Sequence, residues 1–249
     1  MRWKCLCEYD GTSYVGWQKQ INGSTIQGTI EHRLNTIFGN AVCIYGSGRT
    51  DKGVHAKGQI FHFDANWNHS HECLMHAINS GLPKDILIRS TVHVKDTFHS
   101  RYSVICKCYL YRIYLGHASP WDNRYCWSLD VHNLDLKIMH EAASYFIGRH
   151  NFSAFSAMSR DKHRSVCNFT KYIKTCEIQE QGRWITIRIE GNGYLYKMVR
   201  SMVGALVQVG RRRMNPIRIK QLLQLKKRTS QIVSAPAQGL TLEYVHYDS

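Results

Sequence analysis

The sequence predicts an α+β fold: two similar α+β domains with antiparallel sheets joined into a central extended sheet and helices on the outside. Three observations lead there. Short runs of alternating character recur along the chain and read as half-buried strands. Helix-period runs are interspersed with them, and both halves repeat the same order of strands enclosing helices without a visible sequence repeat. No low-complexity segment or long linker separates the halves.

The first element, "RWKCLCEYDG", alternates and ends in Asp-Gly, a strand followed by a turn. "STIQGTIEHRLNTIFG" then opens with Ser24 and Gln27 in capping-box spacing. Ile26, Ile30, Leu34 and Ile37/Phe38 recur at helical spacing, and Gly39 closes the helix. "AVCIYGS" reads as a second strand and "GQIFHFD" as a third. "ECLMHAINSGLP" is a short helix stopped by Gly81 and Pro83. Strands follow over Ile86–Lys95 and Val104–Leu115.

The pattern breaks near Gly116–Trp127, which places the domain change there and gives domains 1–116 and 117–249. Asp135–Ile147 is a helix with Leu136, Met139, Ala143 and Phe146 on one face, stopped by Gly148. "FSAFSAMSRDKHRS" is a polar, basic loop. Strands over 168–179 and 184–190 precede a long helix from Tyr194 to Val209, then a helix "PIRIKQLLQLKK" and a last strand "LTLEYVHY".

Charge narrows the partners. Lys and Arg number 33 against 18 Asp and Glu, a net +15, so polyanions, and nucleic acid first, are the expected ligands. Four of the nine cysteines form C-x-C pairs (Cys5/Cys7, Cys106/Cys108) whose members share a strand face, and no C-x-x-C occurs. "HSHEC" (His69, His71, Cys73) lacks a second spaced pair and reads as a His-rich surface loop. The expectation is reduced thiols and a cytoplasmic protein. The N-terminus has no apolar signal region, and no run reaches the roughly 18 apolar residues of a membrane span.

Three features could carry chemistry. "GSGRTDKGVHAKGQIFHF", Gly46 to Phe63, sets Asp51 as its one carboxylate among Arg49, Lys52 and Lys57. Such cations favour the ionised form, which suits a nucleophile or a base. Asp beside Gly is also the composition of a plain turn, and spacing alone favours that reading. In "GYLYKMVRSMVGALVQVG", Lys197, Arg200, Ser201 and Gln208 fall within about 100° on a helix otherwise apolar all round. In "RYSVICKCYLYRIYLG", Lys107, Tyr109 and Tyr111 share one strand face, a pattern that stacks bases or fills a core. No P-loop, dinucleotide fingerprint or metal set is present, so no cofactor is expected. A catalytically silent RNA-binding module fits charge and aromatics alone. A Ser-His-Asp hydrolase with His55 as base lacks the G-x-S-x-G elbow.

The same stretches together resemble one family. "GRTDKGVHAKGQIFHF", "YDGTSYVGWQKQ", "TIQGTIEHRL", "NSGLPKDI", "FHSRYSVICKCYLYRI", "GYLYKMVRSMVGALVQVG" and "SAPAQGLTLEYVHY" occur in the order of the TruA family of tRNA pseudouridine synthases, bacterial type. The resemblance runs from the first strand to the last. It implies two α+β domains with a central antiparallel sheet, a homodimer, tRNA as partner, and no cofactor. It implies isomerisation of uridine to pseudouridine at positions 38, 39 and 40 of the anticodon stem-loop; eukaryotic relatives act at other tRNA positions and on other RNAs. It places the catalytic aspartate at Asp51, the base-packing tyrosine at Tyr109, the arginine that pairs with the aspartate at Arg200, and an RNA-handling arginine at Arg49. Ser47, Ser100 and Tyr102 depart from the family's usual residues, and none removes a group the reaction needs. The resemblance leaves His55 and His62 without a role beyond a structural one.

Overall fold

A computed structural model describes residues 1–157 and 168–248. In chain order the elements begin with β1 (Arg2–Tyr9), α1 (Ile26–Phe38), β2 (Tyr45–Gly46), β3 (His55–Asp64), α2 (His71–Asn79), β4 (Ile86–Val94) and β5 (Val104–Leu115). Then come α3 (Pro120–Asn123), β6 (Trp127–Leu129), α4 (Leu136–Ser144), β7 (Gly148–Asn151) and a 3-10 turn (Ser153–Phe155). β8 (Thr170–Gln181), β9 (Trp184–Gly191), α5 (Met198–Gly210), α6 (Ile217–Leu225) and β10 (Leu240–Tyr247) complete the order. The expected basic loop begins in that 3-10 turn, and its residues 158–165 lie outside the described residues.

Two compact units emerge, Met1–Ile105 with Thr241–Ser249, and Cys106–Leu240. These two units divide inside β5, between Ile105 and Cys106. The break in pattern at Gly116 marks only the end of that strand, where Gly116 turns the chain at φ +94°.

In the first unit β1 pairs antiparallel with both β3 and β4, and β10 lies parallel to β3 through Thr241↔His55 and Leu242↔Ala56. β1 buries Trp3, Cys5, Cys7 and Tyr9 in strict alternation, as a strand with one face on the core must. Helix α1 presents Ile26, Ile30 and Leu34 to the core, and α2 adds Leu74 and Ile78. Its N-cap is Thr25, not Ser24: the Thr25 side chain accepts the Gly28 N–H at 3.1 Å. Gln27 is drawn away from capping because its amide donates to Glu31 Oε1 and to the Ile44 carbonyl. The strand expected over 41–47 shrinks to Tyr45–Gly46, since only those residues pair in ladder register with β3. His71 and Cys73 stand in the first turn of α2, capped by Ser70, rather than in a loop. Among the described residues no three His, Cys, Asp or Glu side chains gather to hold a metal.

In the second unit β9 pairs antiparallel with β5 and with β8, β7 edges onto β8, and β6 lies parallel to β5. α5 is buried almost all round, which its sequence announces by being apolar on every face. It begins at Met198, not Tyr194, because Lys197 takes a left-handed conformation at φ 57°. Lys197 therefore leaves the expected polar stripe, and Ser201 within it is fully buried. Gly204 lets α5 touch the chain returning at Val233, whose carbonyl a side chain would meet. Tyr111, Phe146, Phe152 and Phe155 fill the core, each fully buried. No helix among the described residues is long and apolar enough to cross a membrane.

Candidate active site

The loop carrying Asp51 joins β2 to β3 and rests on a strap of chain from Asp10 to Trp17. Two glycines let the strap touch it. Gly11 faces the Val54 carbonyl so closely that no side chain fits. Gly16, at φ +112°, lies under Thr50: an added Cβ would stand 2.7 Å from the Thr50 carbonyl oxygen. Trp17 then donates its N–H to that same oxygen at 3.1 Å, and the buried indole packs against the rings of Tyr9 and Phe61. Asp10 Oδ1 accepts from the N–H and hydroxyl of Thr12, closing the turn at the start of the strap. The Gly11 N–H donates to His55 Nδ1 at 3.1 Å, tying the strap to the first residue of β3.

Beneath the loop lies a buried polar set. Thr50 Oγ1 meets the Tyr9 hydroxyl at 2.8 Å. The Gln59 amide reaches the Gly48 carbonyl at 3.1 Å, and its Oε1 accepts from Ser47 Oγ at 2.7 Å. Each buried polar group is thereby matched, so the backbone on either side of Asp51 is held in one conformation. Asp51 itself is half-buried on a turn that Val54 N–H closes onto the Asp51 carbonyl at 3.1 Å, with Gly53 at φ 76° supplying the left-handed position. Arg49 is exposed, and its Nε donates to Gln18 Oε1 at 3.0 Å. Gln18 leans on Gln27, which binds Glu31, so a chain of polar contacts runs from Arg49 to α1.

Tyr109 and Arg200 belong to the second unit. Tyr109 sits on β5 with its ring edge-on to Tyr194, centroids 5.0 Å apart at 88°. The Tyr194 hydroxyl donates to the Ile189 and Lys107 carbonyls at 2.9 and 3.0 Å, and burial pushes its pKa well up, so it stays a phenol. Tyr111, next on the same face, donates to the Pro236 carbonyl at 2.8 Å. Arg200 lies near the start of α5, half-exposed. Its Nε donates to the Ala235 carbonyl at 2.7 Å while Ala235 N–H returns to the Arg200 carbonyl at 2.9 Å. That exchange clamps the guanidinium's stem to the chain at 235. Arg228 bonds Ser201 Oγ and Ser234 Oγ, bracing the same segment.

Asp51 and Arg49 thus share one loop of the first unit, and Tyr109, Tyr111 and Arg200 belong to the second. Sequence reasoning passed over Tyr9, Thr50, Gln59 and Glu31, which support the Asp51 loop. The signal for Gln59 and Thr50 was their place beside the glycines of the loop; Glu31, in the middle of a helix, carried none.

The family model described as tRNA pseudouridine synthase matches residues 6–103 and 142–248. A tRNA pseudouridine synthase A from Maridesulfovibrio salexigens is 39% identical over 251 residues, covering 99% of this chain and 90% of that protein. The protein of the same name from Thermodesulfovibrio yellowstonii is 40% identical, covering 98% of both chains. That from Anoxybacillus flavithermus is 37% identical over 249 residues, with 100% and 99% covered.

Proposed function

The chain belongs to the tRNA pseudouridine synthase family, and from that premise we propose that it isomerises uridine to pseudouridine at positions 38, 39 and 40 in the anticodon stem-loop of tRNAs. In this reading Asp51 is the catalytic carboxylate, Tyr109 packs on the target base, Arg200 pairs with Asp51, and Arg49 handles the RNA as the base leaves its stack. The reading further has the protein working as a homodimer in the cytoplasm.

The reaction breaks the C1′–N1 bond, turns the uracil, and forms a C1′–C5 bond. C5 gives up a proton and N1 ends with one, so atoms and electrons balance within the nucleotide. An ionised carboxylate can serve by attacking C1′, by attacking C6, or by taking the C2′ proton. Extracting the base from its stack costs a few kcal/mol. Stacking on Tyr109 returns roughly 1–3 kcal/mol of that.

The observation that carries the reading is the seat of Asp51. Thr50, its neighbour, is bound through its carbonyl by Trp17 N–H and through its hydroxyl by Tyr9. A carboxylate on so constrained a backbone needs little reorganisation when charge develops beside it. The test maps pseudouridine in tRNA transcripts treated with the wild type and with Asp51→Asn. Conversion at 38 to 40 by the wild type, none by the variant, and near-equal tRNA affinity are expected. Unchanged uridines with the wild type would end the specific assignment, and lost binding in the variant would make Asp51 structural.

A further inference from the structure

Four rings run in contact across the first unit, outside the residues used above. Tyr45 on β2 stands opposite His62 on β3, and the two rings stack at 5.1 Å and 21°. His62 meets the edge of His99 at 4.7 Å, and His99 lies 4.3 Å from Tyr102 at 37°. The Arg101 guanidinium sits 5.7 Å over the Tyr102 ring. His62 is sealed at 1% exposure, but Tyr45 is 53% and Tyr102 76% exposed. Two aromatic faces are thus left in water at either end of a ribbon whose middle is buried.

The ribbon is rigid. Buried Ser100 donates its N–H to His62 Nδ1 at 3.2 Å and its hydroxyl to the Tyr45 carbonyl. The Tyr247 hydroxyl donates to the Ser100 carbonyl at 2.6 Å. His99 Nδ1 accepts the N–H groups of Arg101 and Tyr102 at 3.1 and 3.4 Å. Both imidazoles therefore accept at Nδ1, and burial, with nearby charges, pushes the pKa of each down. They are neutral, flat stacking surfaces at physiological pH.

Exposed aromatic faces beside a cation, on a chain of net +15, match the requirements of an unpaired nucleotide: a π-face for the base and a positive charge for its phosphate. Resting on the proposed function, we infer that this ribbon is a second RNA contact, in which Tyr102 stacks an unpaired base of the bound tRNA and Arg101 holds the adjoining phosphate. Preorganisation by Ser100 and His99 means that little side-chain freedom is lost on stacking.

The experiment measures binding of an unmodified tRNA transcript to the wild type, Tyr102→Ala, Tyr102→Phe and Arg101→Ala across a salt series, with pseudouridine formation and sedimentation mass read on the same samples. Loss of one stacked base weakens binding roughly 5- to 150-fold. Tyr102→Ala should show that loss with an unchanged salt slope, and Tyr102→Phe should bind as the wild type does. Arg101→Ala should lower the slope by about one. Wild-type affinity in Tyr102→Ala, together with normal uridine conversion by the wild type, overturns the inference and leaves the functional reading standing. A fall in mass in Tyr102→Ala with unchanged affinity per protomer also overturns it, assigning the ribbon to contact with a second copy. Weakened binding in Tyr102→Ala beside a wild type that converts no uridine upholds the contact and removes the functional reading.

Discussion

Replacing Gly16 with Ala tests whether the strap governs Asp51. Gly16 holds φ +112°, a conformation that side-chain-bearing residues adopt only under strain, on the order of 1–3 kcal/mol. The new methyl carbon would also stand 2.7 Å from the Thr50 oxygen and 3.2 Å from the Asp51 carbonyl carbon. Ordinary contact demands that one side retreat by about half an ångström. The Thr50 oxygen cannot retreat freely, because Trp17 N–H holds it at 3.1 Å. Strain and overlap together predict a loss of about 2–4 kcal/mol, or about 5–15 °C in Tm for a chain this long. The displaced backbone is that of Asp51, so the rate falls as well. A 1 Å misplacement costs about 10²-fold, which puts half an ångström near tenfold. Gly39→Ala is the control: φ is +69°, nothing lies within 4 Å, and about 1 kcal/mol with an unchanged rate is expected. Urea unfolding and single-turnover pseudouridine formation read the two effects separately. An unchanged rate in Gly16→Ala, or an equal slowing in Gly39→Ala, would refute the reasoning.

Two further outcomes follow from the same geometry. His62 is pushed down to about 4, first by burial and then by His99 and Arg2, with Asp64 opposing. Its folded pKa lies below the unfolded value near 6.5, so the unfolded chain binds the extra proton. The contribution is full above about pH 6.5 and is lost as pH falls towards 4, by up to about 3 kcal/mol. Unfolding of the wild type and His62→Asn at pH 7 and pH 4.5 should show the smaller pH dependence in the variant. Tyr9→Phe removes the hydroxyl that meets Thr50 Oγ1 at 2.8 Å in a buried site. A cost of about 1–3 kcal/mol is expected from the group left unmatched, read as a lower urea midpoint at constant m.

Much of this was legible in the sequence wherever one residue decides. β5 runs from Val104 to Leu115 as its alternation predicts, because half-burial imposes period two on any strand of that length. Gly39 ends α1 in the left-handed conformation only glycine takes cheaply. Positions decided by distant partners were not legible. The start of α1 slips by one because Gln27 prefers Glu31 and Ile44 to the cap. β7 spans only Gly148–Asn151, too short for any periodicity, and exists because β8 offers it an edge. For the candidate site, Asp51 stood out only when motifs along the whole chain were taken together. The strap that seats it could not be foreseen, since Gly11 and Gly16 meet Val54 and Thr50, 43 and 34 residues further along the chain.

The division of the chain has a consequence for its synthesis. Residues Thr241–Ser249 belong to the first unit, and β10 supplies the neighbour on which β3 leans. The first unit to leave the ribosome is therefore the last to close. Its β3 edge must wait while residues 106–240 are made, an interval of roughly 7–27 s at ordinary elongation rates. The second unit, contiguous in sequence, closes from its own residues alone. A truncation at residue 240 would accordingly strike the half of the molecule that carries Asp51, although the missing residues lie at the opposite end of the chain.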